Sequence, residues 1–482
     1  MMLSQTTIRG VLWNFTELLF RRGVTAITTL GLAYFLQPED FGLISMSTLF
    51  MAVAIGLMDS GLREALIRRR YLSCRLLKIS TLASLAAGLG AYILLFIASP
   101  LIATFYHDPR LNTLVRVGGL QILLGAIQIV PIAYLQQRLD FKSLMRISFP
   151  SALISSGVAL GMAWVGFGVW ALIAQTLVGS AITAIWLWVS SGIRFSNGLY
   201  FRLLAPLYNF GFKLFLSGLI AVVVRNSVPG LIGRFLGPVF AGYYYFVDKI
   251  MEVVMGQLVY SVQNVTYSAF SKIGQQNDVL RDAYRKTIQI MVFIVSPLLA
   301  MGVGMADLLF KTFLSDSWWP AANIFRWLCV AYMLYPMHAL NLNILKVRGR
   351  SDLFLRLEIV KAVISLSILW IALPYGLEAV LGSQVVVSVL CYILNVRYSK
   401  PLIGYSVGAQ LFDVLPYFGC ALIGGFFSAQ IADLLIDYPG IVVVFLGGSF
   451  SVSIYILLVW ILNLEALSLL NRTLRSCRQG SQ

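Results

Sequence analysis

Residues 440–463 read GIVVVFLGGSFSVSIYILLVWILN, and this stretch contains no charged residue. At the rise of an α-helix it is long enough to cross the hydrocarbon core of a bilayer, which is roughly 30 Å thick. Because the bilayer offers no hydrogen-bond partners to a polypeptide backbone, a single segment that spans it in this way has to be a helix. The stretch therefore predicts a transmembrane helix.

Further segments of the chain resemble this one in length and apolar character. The complete set of candidate spans is 10–36, 41–60, 77–98, 111–136, 147–166, 168–190, 209–234, 240–266, 284–306, 321–345, 355–374, 377–396, 411–432 and 440–463. Of the 482 residues, 59% are hydrophobic and only 12% are charged, whereas a soluble domain carries about 25% charged residues. The sequence predicts an all-α polytopic membrane protein with about 14 transmembrane helices.

The first span, residues 10–36, has to be distinguished from a secretory signal peptide. It is longer than the apolar core of a cleavable signal, and it has no small-residue cleavage site. We therefore expect it to form the first membrane helix.

Basic residues are concentrated in alternate connections between the spans. The connections after even-numbered spans hold most of the 36 Lys and Arg residues, for example at 63–78, 138–146, 272–286 and 346–356. The connections after odd-numbered spans are poor in basic residues, and several are acidic. Because cytoplasmic connections of membrane proteins are enriched in Lys and Arg, the pattern predicts a basic cytoplasmic side and two cytoplasmic termini. It also explains the net charge of +16 without a nucleic-acid partner.

Two short segments, 35–42 (FLQPEDFG) and 235–242 (FLGPVFAG), share Phe, Leu, Pro and Gly at matching positions. Each lies between a long candidate helix and the next one. The two copies are separated by six spans, an even number, so they would have the same orientation, as in the parallel repeats of some transporters. We therefore predict an N-terminal lobe of six helices (1–200), a C-terminal lobe of six helices (201–400), and two additional helices with a tail (401–482).

The cysteine and histidine content does not indicate a metal site, a cofactor or a catalytic set. No two of the five cysteines have metal-ligand spacing, three lie in apolar spans, and there are only two histidines. Buried thiols of this kind behave as small apolar groups. The polar residues His338, Asn341 and Asn343 in the tenth span are predicted to form interhelical hydrogen bonds, and Gly157 with Gly161 is predicted to allow close helix packing.

Some basic residues lie deep inside candidate spans. Arg21 and Arg22 are near the middle of the first span, and Arg225 is near the middle of the seventh, which is the corresponding helix of the repeat. A charge at this depth costs roughly 3 kcal/mol or more and usually faces a cavity. With Lys249 of the eighth span, these residues are candidate contacts for an anionic substrate, since guanidinium groups make paired hydrogen bonds with phosphate. Other basic residues, including Lys361, are not singled out, because several such long side chains can extend to the membrane surface.

Four acidic residues are candidates for ion coupling or for structural ion pairs. They are Glu17 in the first span, Asp59 at the end of the second, and Asp248 and Glu252 in the eighth, beside Lys249. Glu17 precedes Arg21 by one helical turn, so the two side chains can pair on one face. The sequence leaves two interpretations open. The charges either join helices as ion pairs or line a water-filled basic cavity that accepts an anion.

Four segments carry a family resemblance: 7–13 (TIRGVLW), 38–43 (PEDFGL), 59–62 (DSGL) and 340–353 (LNLNILKVRGRSDL). They resemble the polysaccharide transporter family, in particular the Wzx-type O-antigen and colanic acid flippases. The last segment is the most specific of the four, and the resemblance extends from residue 1 to about residue 400.

The resemblance implies a two-lobed fold that this family shares with multidrug (MATE) exporters and the lipid II flippase. It implies a transporter that moves undecaprenyl-pyrophosphate-linked oligosaccharide repeat units from the cytoplasmic to the periplasmic leaflet of a bacterial inner membrane. Two lobes would alternately open a central basic cavity. The implied partners are this substrate, membrane lipids, and the polymerase and chain-length regulator of the same pathway. The two additional C-terminal helices depart from a twelve-helix core.

Two alternatives come from other functional classes. A multidrug or cation exporter of the same fold would carry an excess of intramembrane acid, whereas the balance here is basic. A membrane glycosyltransferase or polysaccharide polymerase would need catalytic groups on a sizeable periplasmic connection, and no connection in this chain is long enough for one.

Overall fold

The structure is a computed structural model. It describes residues 23–469 apart from 70, 194–199, 201–202, 274–276 and 436. Over this part of the chain the secondary structure is helical, and no β-strand is present. The predicted all-α class is confirmed.

The helices follow the predicted spans closely. They are α1 (Gly23–Phe35), α2 (Pro38–Asp59), α3 (Leu62–Ile67), α4 (Cys74–Tyr106), α5 (Arg110–Gly118), α6 (Leu120–Gln137), α7 (Phe141–Val165), α8 (Val169–Ser191), α9 (Ala205–Leu236), α10 (Pro238–Ile273), α11 (Asn277–Gly304), α12 (Ala306–Phe313), α13 (Ala321–Tyr332), α14 (Tyr335–Val347), α15 (Ser351–Ala372), α16 (Leu377–Ile403), α17 (Val407–Leu434) and α18 (Gly440–Ile461). Helices α5 and α6 together fill one predicted span, and so do α13 and α14.

Within the described residues, twelve helical segments are long and apolar enough to cross a membrane. The two remaining predicted spans correspond to α1 and α10. Helix α1 is short, and the residues before it lie outside the described part of the chain. Helix α10 is long enough, but it is more polar and carries Asp248, Lys249 and Glu252. The chain is a multi-pass membrane protein, and the count of 14 stays a prediction.

The chain packs as two compact units divided between Phe246 and Val247. In the first unit, α9 packs along α2, and Gly56 of α2 faces the ring of Phe215 in α9. In the second unit, α17 packs along α11, where Gly304 and Gly425 bring the two backbones together. The predicted lobes 1–200 and 201–400, with the additional pair in 401–482, stay a prediction.

The connections of the first unit gather at two ends. Arg110, which follows α4, places its Nη2 atom 2.5 Å from Glu39 Oε1 at the start of α2. At the other end, Gln137 donates a hydrogen bond of 3.2 Å to the carbonyl of Arg69. Connections after odd-numbered spans therefore lie together, and so do the basic connections after even-numbered spans.

The second unit sorts its connections in the same way. The side chains of Asn323 and Trp327 both donate to the carboxylate of Glu378, which begins α16. At the opposite end, Arg348 donates a hydrogen bond of 3.1 Å to the carbonyl of Leu402. Within each unit, successive connections thus lie at alternate ends, as the charge pattern predicted.

The two repeated turns contact each other reciprocally inside the first unit. Pro38 starts α2 and Pro238 starts α10, a position where proline is well tolerated because its missing N–H would have no helical partner. A Cβ atom added to Gly42 would lie 1.8 Å from the carbonyl oxygen of Pro238, and one added to Gly242 would lie 1.8 Å from that of Pro38. Glycine is therefore required at the same place in both copies.

Candidate functional site

Arg225 lies in the middle of α9, eleven residues before the end of the helix at Leu236. At 1.5 Å per residue this is roughly 16 Å along the axis, about half of a bilayer core. Its side chain is exposed. Helix α9 is apolar enough over Gly218–Leu236 to count as a membrane span, and Arg225 lies within this stretch. Its contact with an anionic substrate stays a prediction.

The helix around Arg225 has a local irregularity in its hydrogen bonding. Pro229 lies four residues further on and has no N–H, so it cannot donate to the carbonyl of Arg225. Asn226 and Ser227 turn their side chains back to carbonyls one turn earlier, at 2.7 and 2.6 Å. The polar side chains next to the arginine are thus satisfied by their own helix.

The three candidate residues of α10, Asp248, Lys249 and Glu252, each have a polar partner. Lys249 Nζ lies 2.9 Å from Glu252 Oε2, and the two side chains are 39% and 31% exposed. Asp248 Oδ1 accepts a hydrogen bond of 3.0 Å from the hydroxyl of Tyr332 in α13. Lys249, a candidate substrate contact, is therefore already neutralised in part, and Asp248 joins α10 to α13 within the second unit.

Asp59 has a capping role. It is the last residue of α2, and its Oδ1 atom accepts the backbone N–H of Arg63 at 3.3 Å in the first turn of α3. Its other oxygen lies 3.9 Å from the Arg63 guanidinium. Ser60 and Gly61 between the helices have positive φ angles of 45° and 72°. Asp59 therefore stabilises the bend between two helices, which favours the structural interpretation for this residue.

The remaining candidates cannot be placed. Glu17, Arg21 and Arg22 lie outside the described residues. The predicted Glu17–Arg21 pair and the predicted anion contacts of both arginines stay predictions.

Helix α15 contains a charged pair that was not among the candidates. Lys361 is nine residues into the span Asp352–Tyr375. Its Nζ atom lies 2.5 Å from Glu358 Oε1, and its side chain is only 15% exposed. This contact is an ion pair. Lys361 is mostly covered by its surroundings. Its spacing of three residues from Glu358 was the signal available in the sequence.

The polar residues of the tenth span form the predicted interhelical hydrogen bonds. Ser388 donates to the carbonyl of Ala331, so its oxygen accepts from His338 Nε2 at 3.3 Å. The amide nitrogen of Asn395 donates to His338 Nδ1 at 3.0 Å. These partners fit a neutral imidazole whose proton is on Nε2.

The two asparagines of the same helix, α14, are bonded as well. Asn341 accepts a hydrogen bond of 2.7 Å from Ser399, and Asn343 donates at 2.9 Å to the carbonyl of Gln263. The prediction for His338, Asn341 and Asn343 is confirmed. In the described part of the chain, no group of three His, Cys, Asp or Glu side chains is arranged to hold a metal ion.

The chain is similar to several known proteins. The sequence profile of a family described as "Polysaccharide biosynthesis protein" matches residues 32–323. The teichuronic acid biosynthesis protein TuaB of Bacillus subtilis (strain 168) is 26% identical over 355 residues, which cover 71% of this chain and 73% of that protein. The lipopolysaccharide biosynthesis protein WzxC of Escherichia coli (strain K12) is 23% identical over 433 residues, covering 87% and 86%.

Among solved structures, the lipid II flippase MurJ in its inward closed conformation has a TM-score of 0.71 to this chain. The superposition covers 94% of this chain and 98% of MurJ at 13% sequence identity. At that identity the likeness shows a common fold. The family profile, in contrast, spans more than half of the sequence, and on this basis the chain belongs to the polysaccharide biosynthesis protein family.

Proposed function

We propose that this protein flips undecaprenyl-pyrophosphate-linked oligosaccharide repeat units from the cytoplasmic to the periplasmic leaflet. The product would be used for export of O-antigen, capsule or exopolysaccharide. Membership of the polysaccharide biosynthesis family supports a role in such a pathway. The fold shared with a lipid II flippase supports a transporter rather than a glycosyltransferase or polymerase.

The exposed arginine in the middle of α9 is the observation that carries this proposal. A pyrophosphate that enters an apolar medium loses its hydration, at a cost of roughly tens of kcal/mol for an isolated ion. The Arg225 guanidinium can replace part of that hydration with paired, charge-assisted hydrogen bonds. Arg225 would thus lower the free-energy barrier to moving the pyrophosphate through the middle of the membrane. Arg21 and Arg22 are proposed to act in the same way.

Lys249 is proposed as a further substrate contact. Its ion pair with Glu252 is partly exposed, so its ammonium group can exchange Glu252 for an anionic substrate. Glu252 and Asp248 would then take up a coupling ion or hold the helices in place.

The proposal includes movement by alternating access, with the reciprocal contact of the repeated turns as the joint between the helices that follow them. Gly42 and Gly242 bring backbone against backbone, and each lies against the other copy's proline. We propose that both turns lie on the periplasmic side and that both termini are cytoplasmic, since the basic connections of each unit lie at the opposite end.

The proposal also includes partners. The polymerase and chain-length regulator of the same pathway would receive the flipped repeat unit on the periplasmic side. The lipid-linked oligosaccharide and the surrounding membrane lipids are the direct partners.

Replacement of Arg225 tests the proposal. Arg225→Ala should abolish surface polysaccharide in a strain that lacks its own flippase, and Arg225→Lys should retain part of it because the charge remains without the planar fork. Arg234→Ala is the matched control. Arg234 is in the same helix, in its last turn, where its guanidinium lies over the ring of Phe105.

Export and membrane abundance are measured together for each variant. Near-normal export is expected for Arg234→Ala. Full export by a normally inserted Arg225→Ala protein would exclude Arg225 as the anion contact.

A further inference from the structure

A cavity of about 450 Å³ lies where α11 and α17 begin, inside the second unit. Both helices are candidate membrane spans, Asn277–Gly304 and Val407–Leu434. Since both spans start at the cavity, it lies at the boundary between the membrane and water.

Most charges around the cavity are already paired. Arg285 Nε lies 2.9 Å from Asp413 Oδ2, and Tyr405 donates its hydroxyl hydrogen bond to the same carboxylate. Asp282 is paired with Lys286 at 2.5 Å. Burial raises the pKa of Tyr405, and its hydrogen bond to Asp413 raises it further, so the hydroxyl stays protonated. This network fixes α17 to α11 and forms a rigid wall.

Two residues of the cavity lining, one acidic and one basic, do not take part in these ion pairs. Asp278 and Arg281 are three residues apart on α11, both are exposed, and both line the cavity. Within the part of the chain that the structure describes, neither forms an ion pair. The Arg281 guanidinium instead lies 5.7 Å from the ring centre of Tyr405. The cavity therefore offers one cation and one anion side by side.

The cavity also has an apolar side. Phe412 of α17 lines it and is 80% exposed. It lies five residues after the start of the helix, which is roughly 8 Å along the axis. Leu415, almost one turn further, is 56% exposed. An occupant with a charged head at the level of Arg281 would thus have its apolar part against Phe412 and the hydrocarbon beyond it.

We propose that this cavity binds the headgroup of a zwitterionic phospholipid with a primary amine, as in phosphatidylethanolamine. The phosphate would accept paired hydrogen bonds from Arg281, and the ammonium group would donate to Asp278. Phosphatidylglycerol has no ammonium group for Asp278, and the quaternary ammonium of phosphatidylcholine has no N–H to donate. The additional helix α17 therefore supplies one wall of a lipid site. The inference does not depend on the transported substrate.

Lipid binding to the purified full chain tests the inference. The delipidated protein is mixed in detergent with phosphatidylethanolamine, phosphatidylglycerol or phosphatidylcholine of equal acyl length, and bound lipid is counted by native mass spectrometry. Phosphatidylethanolamine should bind at least about tenfold more tightly than either of the others, consistent with two charge-assisted contacts in place of one. Arg281→Ala should remove most of this binding. Asp278→Asn should make phosphatidylethanolamine and phosphatidylglycerol equal.

Arg350→Ala is the control, because Arg350 is also an exposed arginine next to an aspartate, Asp352, outside the cavity. It should leave the lipid preference unchanged. Equal binding of the three lipids, or phosphatidylethanolamine binding that survives Arg281→Ala, would overturn the inference. A preference for phosphatidylglycerol that Asp278→Asn does not change would identify a simple anion site and would overturn it too. None of these results bears on the proposed transport function, since no transport is measured.

Discussion

Helices α10 and α15 each contain a lysine and a glutamate, three residues apart, that form an ion pair. In α10, Lys249 and Glu252 are 39% and 31% exposed. In α15, Lys361 is only 15% exposed, while Glu358 is 32% exposed. Within the described residues, α15 is otherwise long and apolar enough to cross a membrane, whereas α10 is more polar around Lys249 and Glu252. The same kind of ion pair is thus more exposed in α10 than in α15, and we expect its loss to affect stability differently in the two helices.

The surroundings of Lys361 explain why loss of its ion pair with Glu358 should lower the stability of the protein. It lies within electrostatic reach of His338 in α14 and Cys391 in α16. A buried ion pair costs desolvation energy that its own attraction only partly offsets, and the loss of one partner leaves an uncompensated charge. Lys249 is more accessible, so the loss of its partner costs less. The α10 pair is therefore the more accessible of the two.

The largest effect is expected for Lys361→Met. It leaves the Glu358 carboxylate in a membrane span without its cation. Loss of one partner of a fully buried pair costs about 3–5 kcal/mol. The Glu358 oxygen that faces Lys361 is buried, although the rest of that side chain is partly exposed, so we expect about 2–3 kcal/mol here. The free energy of unfolding, measured by titration of the purified protein with dodecyl sulfate, checks this value.

The double variant Lys361→Met with Glu358→Gln is the control for the same measurement. It removes both charges, so it should recover at least half of the lost stability. If Lys361→Met unfolds like the unmodified protein, Lys361 is not buried as the structure has it, and the contrast between α15 and α10 disappears.

A smaller loss is expected for His338→Leu, which tests the polar packing next to Lys361. Asn395 and Ser388 would each lose a hydrogen-bond partner, and Asn395 is 1% exposed. An unsatisfied buried polar group costs about 1–3 kcal/mol. His338→Gln, which keeps a donor and an acceptor, should lose less. Equal unfolding free energies for both variants would show that these hydrogen bonds do not contribute.

The sequence predicted those parts of the fold that depend on local composition. The spans follow from runs of apolar residues, and the hydrogen bonds of His338 follow from polar groups inside such a run. The rotation of a helix about its own axis is not local. The sequence allowed Lys361 to reach the membrane surface, whereas in the structure it is mostly covered. Its coverage depends on which side of α15 faces α14 and α16, and the sequence pattern does not reveal this.

Glycine positions show the same limit. Gly157 and Gly161 have the spacing of a packing motif, but among the described residues no atom lies within 4 Å of a Cβ added to either, so the predicted close packing stays a prediction. Close packing occurs instead between Gly304 and Gly425, where α17 crosses α11. These two glycines belong to different helices and are far apart in sequence, so only the tertiary structure brings them together.

Some residues of the candidate site could also be predicted from local sequence, and others could not. Hydropathy alone indicated Arg225 as an intramembrane charge, and spacing indicated Lys249 with Glu252. The capping of α3 by Asp59 depends on the bend at Ser60 and Gly61, which an apolar pattern does not reveal.

Lys249→Met should change transport more than stability. Its pair is more than one-third exposed on the lysine side, and pairs of that kind contribute less than about 1 kcal/mol. We expect an unfolding free energy close to that of the unmodified protein and a severalfold decrease in surface polysaccharide. Glu252→Gln should keep stability as well. A loss of stability as large as that of Lys361→Met would mean that the two pairs are equivalent.

The smallest effect is expected for Arg110→Ala, which extends the comparison to an ion pair outside the spans. Arg110 Nη2 lies 2.7 Å from Asp108 Oδ2, and its side chain is 54% exposed. Hydrogen bonds from Arg110 lower the pKa of Asp108 below its usual range. A lowered carboxyl pKa means that the pair stabilises the protein above the unfolded-state value of about 4, and that this contribution is lost as the pH falls through the folded-state pKa.

Because Arg110 is exposed, the difference in unfolding free energy at pH 7 should stay below about 1 kcal/mol. The difference should be the same at pH 6 and should shrink below pH 4, where Asp108 takes up a proton. A difference that persists unchanged at the lowest pH that the protein tolerates would show that Arg110 acts through packing and not through its charge.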